Sequence, residues 1–326
     1  MSILSLILFG FVFLLIVQYV LNQMTVMEVV QYRSNQNVDM ANMIDQHRFE
    51  NYKYFEKLKR KKVFIHIPYE RNTRSWLDFG ARSSNNLNLD ICMLCIQSVI
   101  RHLGESMDIV LYDNNNVKDL IGESNEEDLC NIKNPSILSG VDLKQWEGYC
   151  KAKILYKYGG IIMEPYYYFI RKPEEKILFP PSLTISQEVN DGHNVSQQTL
   201  IPTTNHWMSA PKKNADVRIY IQYLQHLCVH HYSEDHKHFD KTFEKLYALH
   251  HIHPKKMGSV DTRGDPVYVN DLLSKRNIEM DSDMFCLFIN IPHLKKYRKD
   301  GWILKMNETQ IKQSNTYLGN FIVLHS

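Results

Sequence analysis

Two acidic residues of this chain directly follow short apolar runs that have the character of strands. Asp113 comes after Asp108–Tyr112, and Glu164 comes after Ile161–Met163. Ligands of parallel sheets bind just beyond the carboxyl ends of the strands. Carboxylates at that edge suit a hard divalent cation, which prefers several oxygen ligands. We therefore take Glu164 and Asp113 as candidate catalytic residues, and Glu164 as the candidate metal ligand.

The segments that must position these carboxylates alternate between strand-like and helix-like patterns. Val63–Ile67 is an apolar run that stops at Pro68, which predicts a buried strand. Residues 87–103 have apolar side chains at spacings of three and four, which predicts a helix, and 143–158 is a second predicted helix that ends at Gly159. Strand, helix, strand, helix and strand within about 100 residues predict an α/β fold with a mainly parallel sheet flanked by helices.

Three regions of different composition divide the chain. Residues 3–21 carry no charge, and as a helix they would span roughly 28 Å, which predicts an uncleaved single-pass anchor in a lipid bilayer. Residues 22–60 are polar and contain no Gly or Pro, which favours a helical stem. The basic run 57–62 that ends the stem is either a solvated face or a contact with anionic headgroups or with acidic, capsid-like protein surfaces. From 61 to 326 no linker interrupts the pattern, which predicts one domain.

Charge and motifs exclude several classes of function. The net charge of the 326 residues is +2, so no global electrostatic argument favours nucleic acid as a partner. The sequence has no P-loop, nucleophile elbow, HExxH or supported GxGxxG motif. These absences argue against a hydrolase, a kinase and a dinucleotide-dependent oxidoreductase.

One segment resembles a known family. Residues 152–164, AKILYKYGGIIME, resemble the core motif of sugar-nucleotide glycosyltransferases with the GT-A fold, in the group related to capsular-polysaccharide and mannosyl transferases. That family's motif runs as an Asp, an Arg, LYKYGG and a short strand that ends in Asp-x-Asp. The run VFIHIP and the stretch 205–211 are similar to its first strand and acceptor-side loop. The tail, including 264–268 and 271–273, resembles that of a membrane-anchored group in nucleocytoplasmic large DNA viruses.

The resemblance implies a nucleotide-sugar site and particular partners. It implies binding of the donor by His66, Lys151, Gly159, Gly160, Tyr166 and Asn205, with Mn²⁺ or Mg²⁺ if the protein is active. The two glycines either let the backbone approach the ligand or sharpen the turn. The viral likeness implies capsid or other virion proteins as partners. It also implies residence in a virion inner membrane or a host endomembrane, in an orientation that the sequence leaves open.

The charged landmarks of the family motif are mostly replaced. The two strand-end acids correspond to Glu164 and Tyr166, and the upstream Asp and Arg correspond to Gly148 and Lys151. Because a single carboxylate is a poor Mg²⁺ or Mn²⁺ site, another acid would have to fold in, and Asp113 and Asp191 are the candidates.

These replacements lead us to predict a degenerate, catalytically impaired transferase fold with a structural or virion-associated role and no cofactor. Two alternatives stay open. One is an active transferase that uses Glu164 or a metal-free donor site. The other is a module that binds sugar nucleotides or glycans without turnover.

Three further groups of residues have a structural and a functional interpretation. Tyr166–Phe169 predicts a strand with alternating buried and half-buried aromatics, with stacking on a base or sugar ring as the alternative. Cys92 and Cys95 are predicted to be buried thiols rather than a redox or zinc pair. The histidines between 226 and 253 favour ordinary polar positions over a zinc site.

Overall fold

The computed structural model describes His47 and residues 60–67, 90–114, 116–122, 141–189, 201–230 and 250–326. From residue 48 onward the chain belongs to one compact unit. The predicted anchor, 3–21, and almost all of the predicted stem, 22–60, lie outside the described residues. Among the helices that are described, none has the length and apolar character needed to cross a membrane.

The described elements alternate between strands and helices in the first half of the unit and become mainly helical toward the end. The strands are β1 Lys62–His66, β2 Asp108–Tyr112, β3 Gly160–Met163, β4 Tyr167–Phe169, β5 Thr184–Gln187, β6 Thr203–Ala210, β7 His250–Ile252 and β8 Cys286–Phe288. The α-helices are α1 Asp90–Leu103, α2 Val117–Ile121, α3 Val141–Tyr158, α4 Glu175–Leu178, α5 Ala215–His230, α6 Val269–Leu272, α7 Ile291–Lys296, α8 Glu308–Lys312 and α9 Tyr317–His325.

Six strands form the main sheet in the order β2-β1-β3-β6-β5-β7. The pairs β1/β2, β1/β3 and β5/β7 are parallel, whereas β6 runs antiparallel to both β3 and β5. The prediction of an α/β fold with a mainly parallel sheet is therefore confirmed at this level. The three predicted strands and the two predicted helices are all present, and their described bounds differ from the prediction by at most two residues. The predicted start of α1, at residue 87, lies outside the described residues.

The two faces of the sheet are covered differently. On one face, apolar side chains of β1, β2, β3 and β6 pack against α2, α3 and α5, and this core includes Phe64, Val110, Ile162 and Met208. On the other face, Trp207 of β6 packs against aromatic rings of the small sheet formed by β4 and β8. Strand alternation explains the division, because successive side chains of one strand point to opposite faces.

The aromatic segment after Glu164 is a strand, but its predicted alternation is wrong. Tyr167, Tyr168 and Phe169 form β4, and each is at most 2 % exposed. The rings of Tyr167 and Phe169 meet Trp207 on one side of β4, while Tyr168 meets Phe321 of α9 on the other. Other parts of the protein cover both faces of β4. All three aromatic side chains of the strand are therefore buried, instead of alternating between buried and half-buried.

Two predictions about cysteine and histidine have different outcomes. Cys92 and Cys95 lie on α1 as buried free thiols, as predicted. Three of the eight histidines between 226 and 253 lie in 231–249, outside the described residues, so the zinc alternative there stays a prediction.

Candidate functional site

The candidate site lies at the edge of the sheet where the parallel strands β1, β2 and β3 end. His66 is the last residue of β1, Asn114 lies two residues beyond β2, and Glu164 directly follows β3. Because neighbouring parallel strands run in the same direction, their carboxyl ends bring residues from three distant parts of the sequence together.

Glu164 is held in a buried ion pair. Lys151 Nζ contacts Glu164 Oε1, and His66 Nδ1 lies 3.2 Å from the same oxygen. Lys151 reaches this edge from α3, which packs across the face of the sheet. The three side chains are at most 7 % exposed, so solvent screens their charges little. Two cationic groups therefore neutralise the carboxylate from within the protein.

His66 also connects Glu164 to a second glutamate. His66 Nε2 lies 2.8 Å from Asn114 Oδ1, and Asn114 Nδ2 donates to Glu147 Oε1 at 2.9 Å. The bond to Glu147 orients the amide so that its oxygen faces the imidazole. Both ring nitrogens of His66 thus face acceptors, which favours the doubly protonated ring. We call Lys151, Glu164, His66, Asn114 and Glu147 the Glu164 cluster.

The pKa shifts agree with this assignment of charge. Burial alone would lower the pKa of His66, but the Glu164 carboxylate outweighs burial and raises that pKa above its usual 6.5. Burial alone would raise the pKa of Glu164, but Lys151 and His66 outweigh it and hold that pKa far below the usual 4.5. Glu164 is therefore ionised over the whole physiological range.

The donor set of the Glu164 cluster does not fit the divalent cation that the family resemblance implies. Mg²⁺ and Mn²⁺ need several oxygen ligands, but here one carboxylate oxygen already receives both Lys151 and His66. Within the part of the chain that the structure describes, no three His, Cys, Asp or Glu side chains are arranged to hold a metal ion. Asp191, one of the two acids that might have completed the site, lies outside that part.

Asp113, the other such acid, belongs to the turn that follows β2. Its Oδ1 accepts a hydrogen bond from the backbone N–H of Asn116 at 3.1 Å, and Asn116 Oδ1 accepts one from the backbone N–H of Asp113 at 2.9 Å. These reciprocal bonds close the turn around Asn114. Asp113 thereby supports the loop that presents Asn114 to His66.

Gly159 and Gly160 lie at the opposite end of β3 from Glu164. Their φ angles are +66° and +94°, which favour glycine. A Cβ at Gly160 would lie 2.3 Å from the carbonyl oxygen of Lys62, and one at Gly159 would lie 2.5 Å from the backbone nitrogen of Lys212. The geometry supports a role for this pair in the turn from α3 into β3 and in close contact between backbones.

The backbone N–H of Tyr166 donates to the carbonyl oxygen of Glu164 at 2.8 Å, and the side chains of Asn205 and Tyr166 contact groups outside the Glu164 cluster. Asn205 Nδ2 is 3.4 Å from the hydroxyl of Tyr220 on α5, and 3.3 Å from the position that a Cβ would take at Gly148. The buried ring of Tyr166 meets the ring of His206 edge-on, with 5.2 Å between the centroids. Gly148 stands where the family motif has its upstream acid. In this chain the position therefore has no carboxylate and faces the amide group of Asn205.

A second buried carboxylate, which the sequence analysis missed, follows β5. Glu188 Oε1 accepts hydrogen bonds from the hydroxyl of Ser186 at 2.6 Å and from the hydroxyl of Tyr167, and Glu188 Oε2 lies 2.7 Å from His206 Nδ1. Burial alone would raise the pKa of Glu188, but His206 and the two hydroxyl groups outweigh it and lower that pKa below 4.5. We call Glu188, Ser186, Tyr167 and His206 the Glu188 cluster.

His206 differs from His66 in exposure and in its acceptors. The His206 side chain is 28 % exposed, whereas that of His66 is 3 % exposed. The His206 ring lies against Tyr166 and is stacked at 6.5 Å on the ring of Phe288. Its Nδ1 faces Glu188, and among the described residues no hydrogen-bond partner occupies Nε2.

An irregularity in β6 explains why His206 reaches Glu188. Ile185 of β5 opposes Met208, but the next residue, Ser186, opposes Thr204, so residues 205–207 have no partner on β5. Such a bulge turns side chains away from the regular alternation, and bulges are frequent next to functional sites. The backbone N–H of Glu164 donates to the carbonyl oxygen of His206 at 2.8 Å, so the bulge also joins the two clusters. A sequence signal for Glu188 is the alternation of apolar and polar side chains over residues 183–186, which is typical of a short strand.

Comparison of the sequence with models of known protein families gives no match, and neither does comparison with curated protein sequences.

Proposed function

We propose that residues 61–326 form a glycosyltransferase-like domain of the GT-A type that has lost metal-dependent sugar transfer and keeps a non-catalytic role. The carrying observation is the ion pair between Lys151 and Glu164. Where the family motif has a carboxylate pair for a cation, this chain has one carboxylate that its own lysine and histidine neutralise. Because Lys151 already balances the negative charge of Glu164, no unbalanced charge remains there to attract a metal ion.

Two features support the transferase-like part of this proposal. The segment 152–164, which carries the motif resemblance, forms the end of α3 and all of β3. Its acidic residue, Glu164, lies at the carboxyl edge of parallel strands, the edge where α/β sheets bind ligands. The loss of transfer then follows from the replaced side chains, because a fold commonly survives the loss of its original chemistry.

The proposal is tested with the full chain and a panel of UDP- and GDP-sugars, with and without Mn²⁺. We expect no Mn²⁺-dependent rise in melting temperature and no Mn²⁺-dependent release of nucleotide. A ligand at one hundred times its Kd would stabilise the folded state by about 2.7 kcal/mol, which a thermal melt detects readily.

Two variants make this test specific. Glu164→Ala removes the strand-end carboxylate, and Glu175→Ala removes an exposed carboxylate elsewhere on the chain. Mn²⁺-dependent transfer that Glu164→Ala abolishes and Glu175→Ala preserves would overturn the proposal in favour of an active enzyme centred on Glu164.

The proposal also includes residues 3–21 as a membrane anchor, on the argument from length and composition given above. Alkaline extraction of membranes from cells that express the full chain tests it. The full chain should stay in the membrane fraction, and a variant with five lysines spread through 3–21 should be released. Release of the unaltered chain would remove the anchor from the proposal.

A further inference from the structure

We propose that the amino edge of the main sheet is a docking surface for an anionic lipid bilayer. The amino edge is the edge where β1, β2 and β3 begin and where β6 ends, opposite the edge that carries Glu164. The inference rests on the proposed anchor at 3–21, which holds this unit near a membrane. Six basic residues from three segments of the chain lie at this edge: Arg60, Lys61, Lys62, Lys157, Lys212 and Lys213.

Two glycines at the start of β3 allow these segments to meet. A Cβ at Gly160 would lie 2.3 Å from the carbonyl oxygen of Lys62. A Cβ at Gly159 would lie 2.5 Å from the backbone nitrogen of Lys212. Lys157 lies two residues before Gly159, at the end of α3. Because both glycines lack a side chain, the start of β1, the end of α3 and the segment after β6 come together at one edge.

Neutral groups hold two of these ammonium groups in place. Lys157 Nζ donates to the carbonyl oxygen of Ile121 at 2.6 Å. Lys61 Nζ lies 3.4 Å from the centroid of the Phe179 ring. A carbonyl oxygen and an aromatic ring orient an ammonium group but carry no net charge. These contacts therefore fix the positions of the two ammonium groups without balancing their charge.

The lysines at this edge also act on one another. Burial lowers the pKa of Lys62 and the pKa of Lys157, and the charge of Lys212 lowers both further. Asp108 offsets part of this effect at Lys62, and it also pairs with Arg60 at 3.0 Å. An external anion beside the three lysines would relieve their mutual repulsion, so the amino edge favours a negatively charged partner.

The position of this surface along the chain favours a bilayer as that partner. Lys61 and Lys62 belong to the basic run 57–62, which ends the proposed stem between the anchor and β1. Each basic residue near an anionic bilayer strengthens the attraction about fivefold. Tethering by the anchor adds to this effect, because it raises the effective concentration of the surface at the membrane. Docking of the amino edge directs the opposite edge, with Glu164, away from the bilayer.

The test is acetylation of lysines in the full chain, reconstituted with lipid vesicles, by a reagent that does not cross membranes. The vesicles contain phosphatidylcholine alone or with about 30 % phosphatidylserine, which makes their surface negative. Peptide mapping by mass spectrometry compares the exposed Lys212 and Lys61 with Lys144. Lys144 is the matched control, because it is also exposed and lies about 20 Å from Lys157 along α3. Polyglutamate, added instead of phosphatidylserine, represents an acidic protein.

We expect phosphatidylserine to slow the acetylation of Lys212 and Lys61 about fivefold or more, and that of Lys144 much less. About 1 M NaCl should abolish the difference, because the Debye length is then about 3 Å. Lys212→Glu reverses one charge of the surface and should remove most of the protection of Lys61. Lys144→Glu should leave that protection unchanged.

Four results would overturn the docking surface. They are equal acetylation of Lys212 with both kinds of vesicle, equal protection of Lys144 and Lys212, full protection of Lys61 in Lys212→Glu, and protection by polyglutamate but not by phosphatidylserine. The last result would assign the surface to an acidic protein. Three of the four use the unaltered chain, so the inference stays testable even if Lys212→Glu does not fold.

Failure of the proposed anchor gives a different result in the same experiment. A chain without an anchor would not sediment with vesicles of phosphatidylcholine alone. The docking surface is judged only by the difference that phosphatidylserine makes, so the two proposals can fail separately.

Discussion

Two carboxylate–imidazole pairs lie on either side of the β3/β6 contact, and they differ in what surrounds the imidazole. In the Glu164 cluster, His66 is buried and both of its nitrogens face protein acceptors. In the Glu188 cluster, His206 is half-exposed, and only its Nδ1 faces an acceptor within the described residues. In the first pair both imidazole nitrogens have partners, and in the second one imidazole nitrogen has no hydrogen-bond partner among the described residues.

This difference teaches that a buried acid at a ligand-binding edge does not by itself indicate a site. Lys151 satisfies Glu164 from within, so the charge that would attract a cation is already balanced. The partners of Glu188 are the imidazole of His206, which it orients, and the hydroxyl groups of Ser186 and Tyr167. The two clusters therefore differ in how many hydrogen-bond donors and acceptors are left after internal pairing among the described residues.

The largest effect is expected for Lys151→Met, which keeps the length of the side chain and removes its charge. Glu164 would stay buried without its lysine, and breaking a buried pair in this way costs about 3–5 kcal/mol of unfolding free energy. Denaturant unfolding at pH 7 measures the loss, and the exposed Lys144→Met on the same helix is the control. A loss below about 1 kcal/mol, the range typical of surface ion pairs, would mean that Glu164 does not depend on this cation.

A smaller loss is expected for Glu188→Gln. The glutamine oxygen still accepts from Ser186 and Tyr167, while its amide group faces His206 Nδ1 and moves the imidazole proton to Nε2. We expect the free energy of unfolding to fall by about 1–3 kcal/mol, as for a buried polar group with imperfect hydrogen bonds. A long-range ¹H–¹⁵N spectrum of the ¹⁵N-histidine-labelled chain should show the proton of His206 on Nε2. An equal loss of stability in Glu188→Gln and Lys151→Met would mean that the Glu188 cluster depends on its charge as strongly as the Glu164 cluster does.

The pH dependence of stability above pH 6.5 should report on the charge of His66. Its pKa is raised in the folded state, so its contribution is fully present below the unfolded value of 6.5 and is lost as the pH rises through the folded value. The free energy of unfolding should thus fall as the pH rises above 6.5, and His66→Gln should flatten this part of the curve. The exposed His253→Gln should retain the slope; a slope that survives in His66→Gln would contradict the charged imidazole.

The acidic limb has the opposite sign. The pKa values of Glu164 and Glu188 are both lowered by folding, so their contributions are present above the unfolded value of 4.5 and are lost as the pH falls through the folded values. Lys151→Met removes the main cause of the shift at Glu164, and stability of this variant should approach that of the unaltered chain in acid. A gap that stays constant from pH 7 to pH 3 would speak against the ion pair as its source.

The smallest expected effect is a difference in the rate at which the histidines are chemically labelled, and it involves no change in stability. Diethyl pyrocarbonate modifies accessible, unprotonated imidazole nitrogens, so at pH 7 it should label His206 well before His66 or His293, whose side chains are at most 5 % exposed. Peptide mapping by mass spectrometry gives the order. Labelling of His66 at the same rate as His206 would remove the difference in access between the two clusters.

Local sequence patterns were enough to predict the strands β1, β2 and β3 and the helices α1 and α3. Each of these elements has an apolar run or period of its own, and α3 ends at the glycines that the turn into β3 requires. The burial of both faces of β4 was not predictable from its own sequence. It depends on α9, which covers the second face and lies more than 100 residues away along the chain. The position of Glu188 was likewise hidden, since its partners come from β4, β5 and β6.

The sequence by itself determined that this chain builds an α/β sheet, that Glu164 directly follows one of its strands, and that Tyr166 rather than a second acid lies two residues further on. Only the tertiary structure decided what Glu164 does, because its charge is balanced by Lys151 from a helix and by His66 from another strand. The same holds for His206, whose direction is set by a bulge in β6. Periodicity is a local property of the chain, whereas the electrostatic balance of a buried group depends on residues that only folding brings within a few ångströms of it.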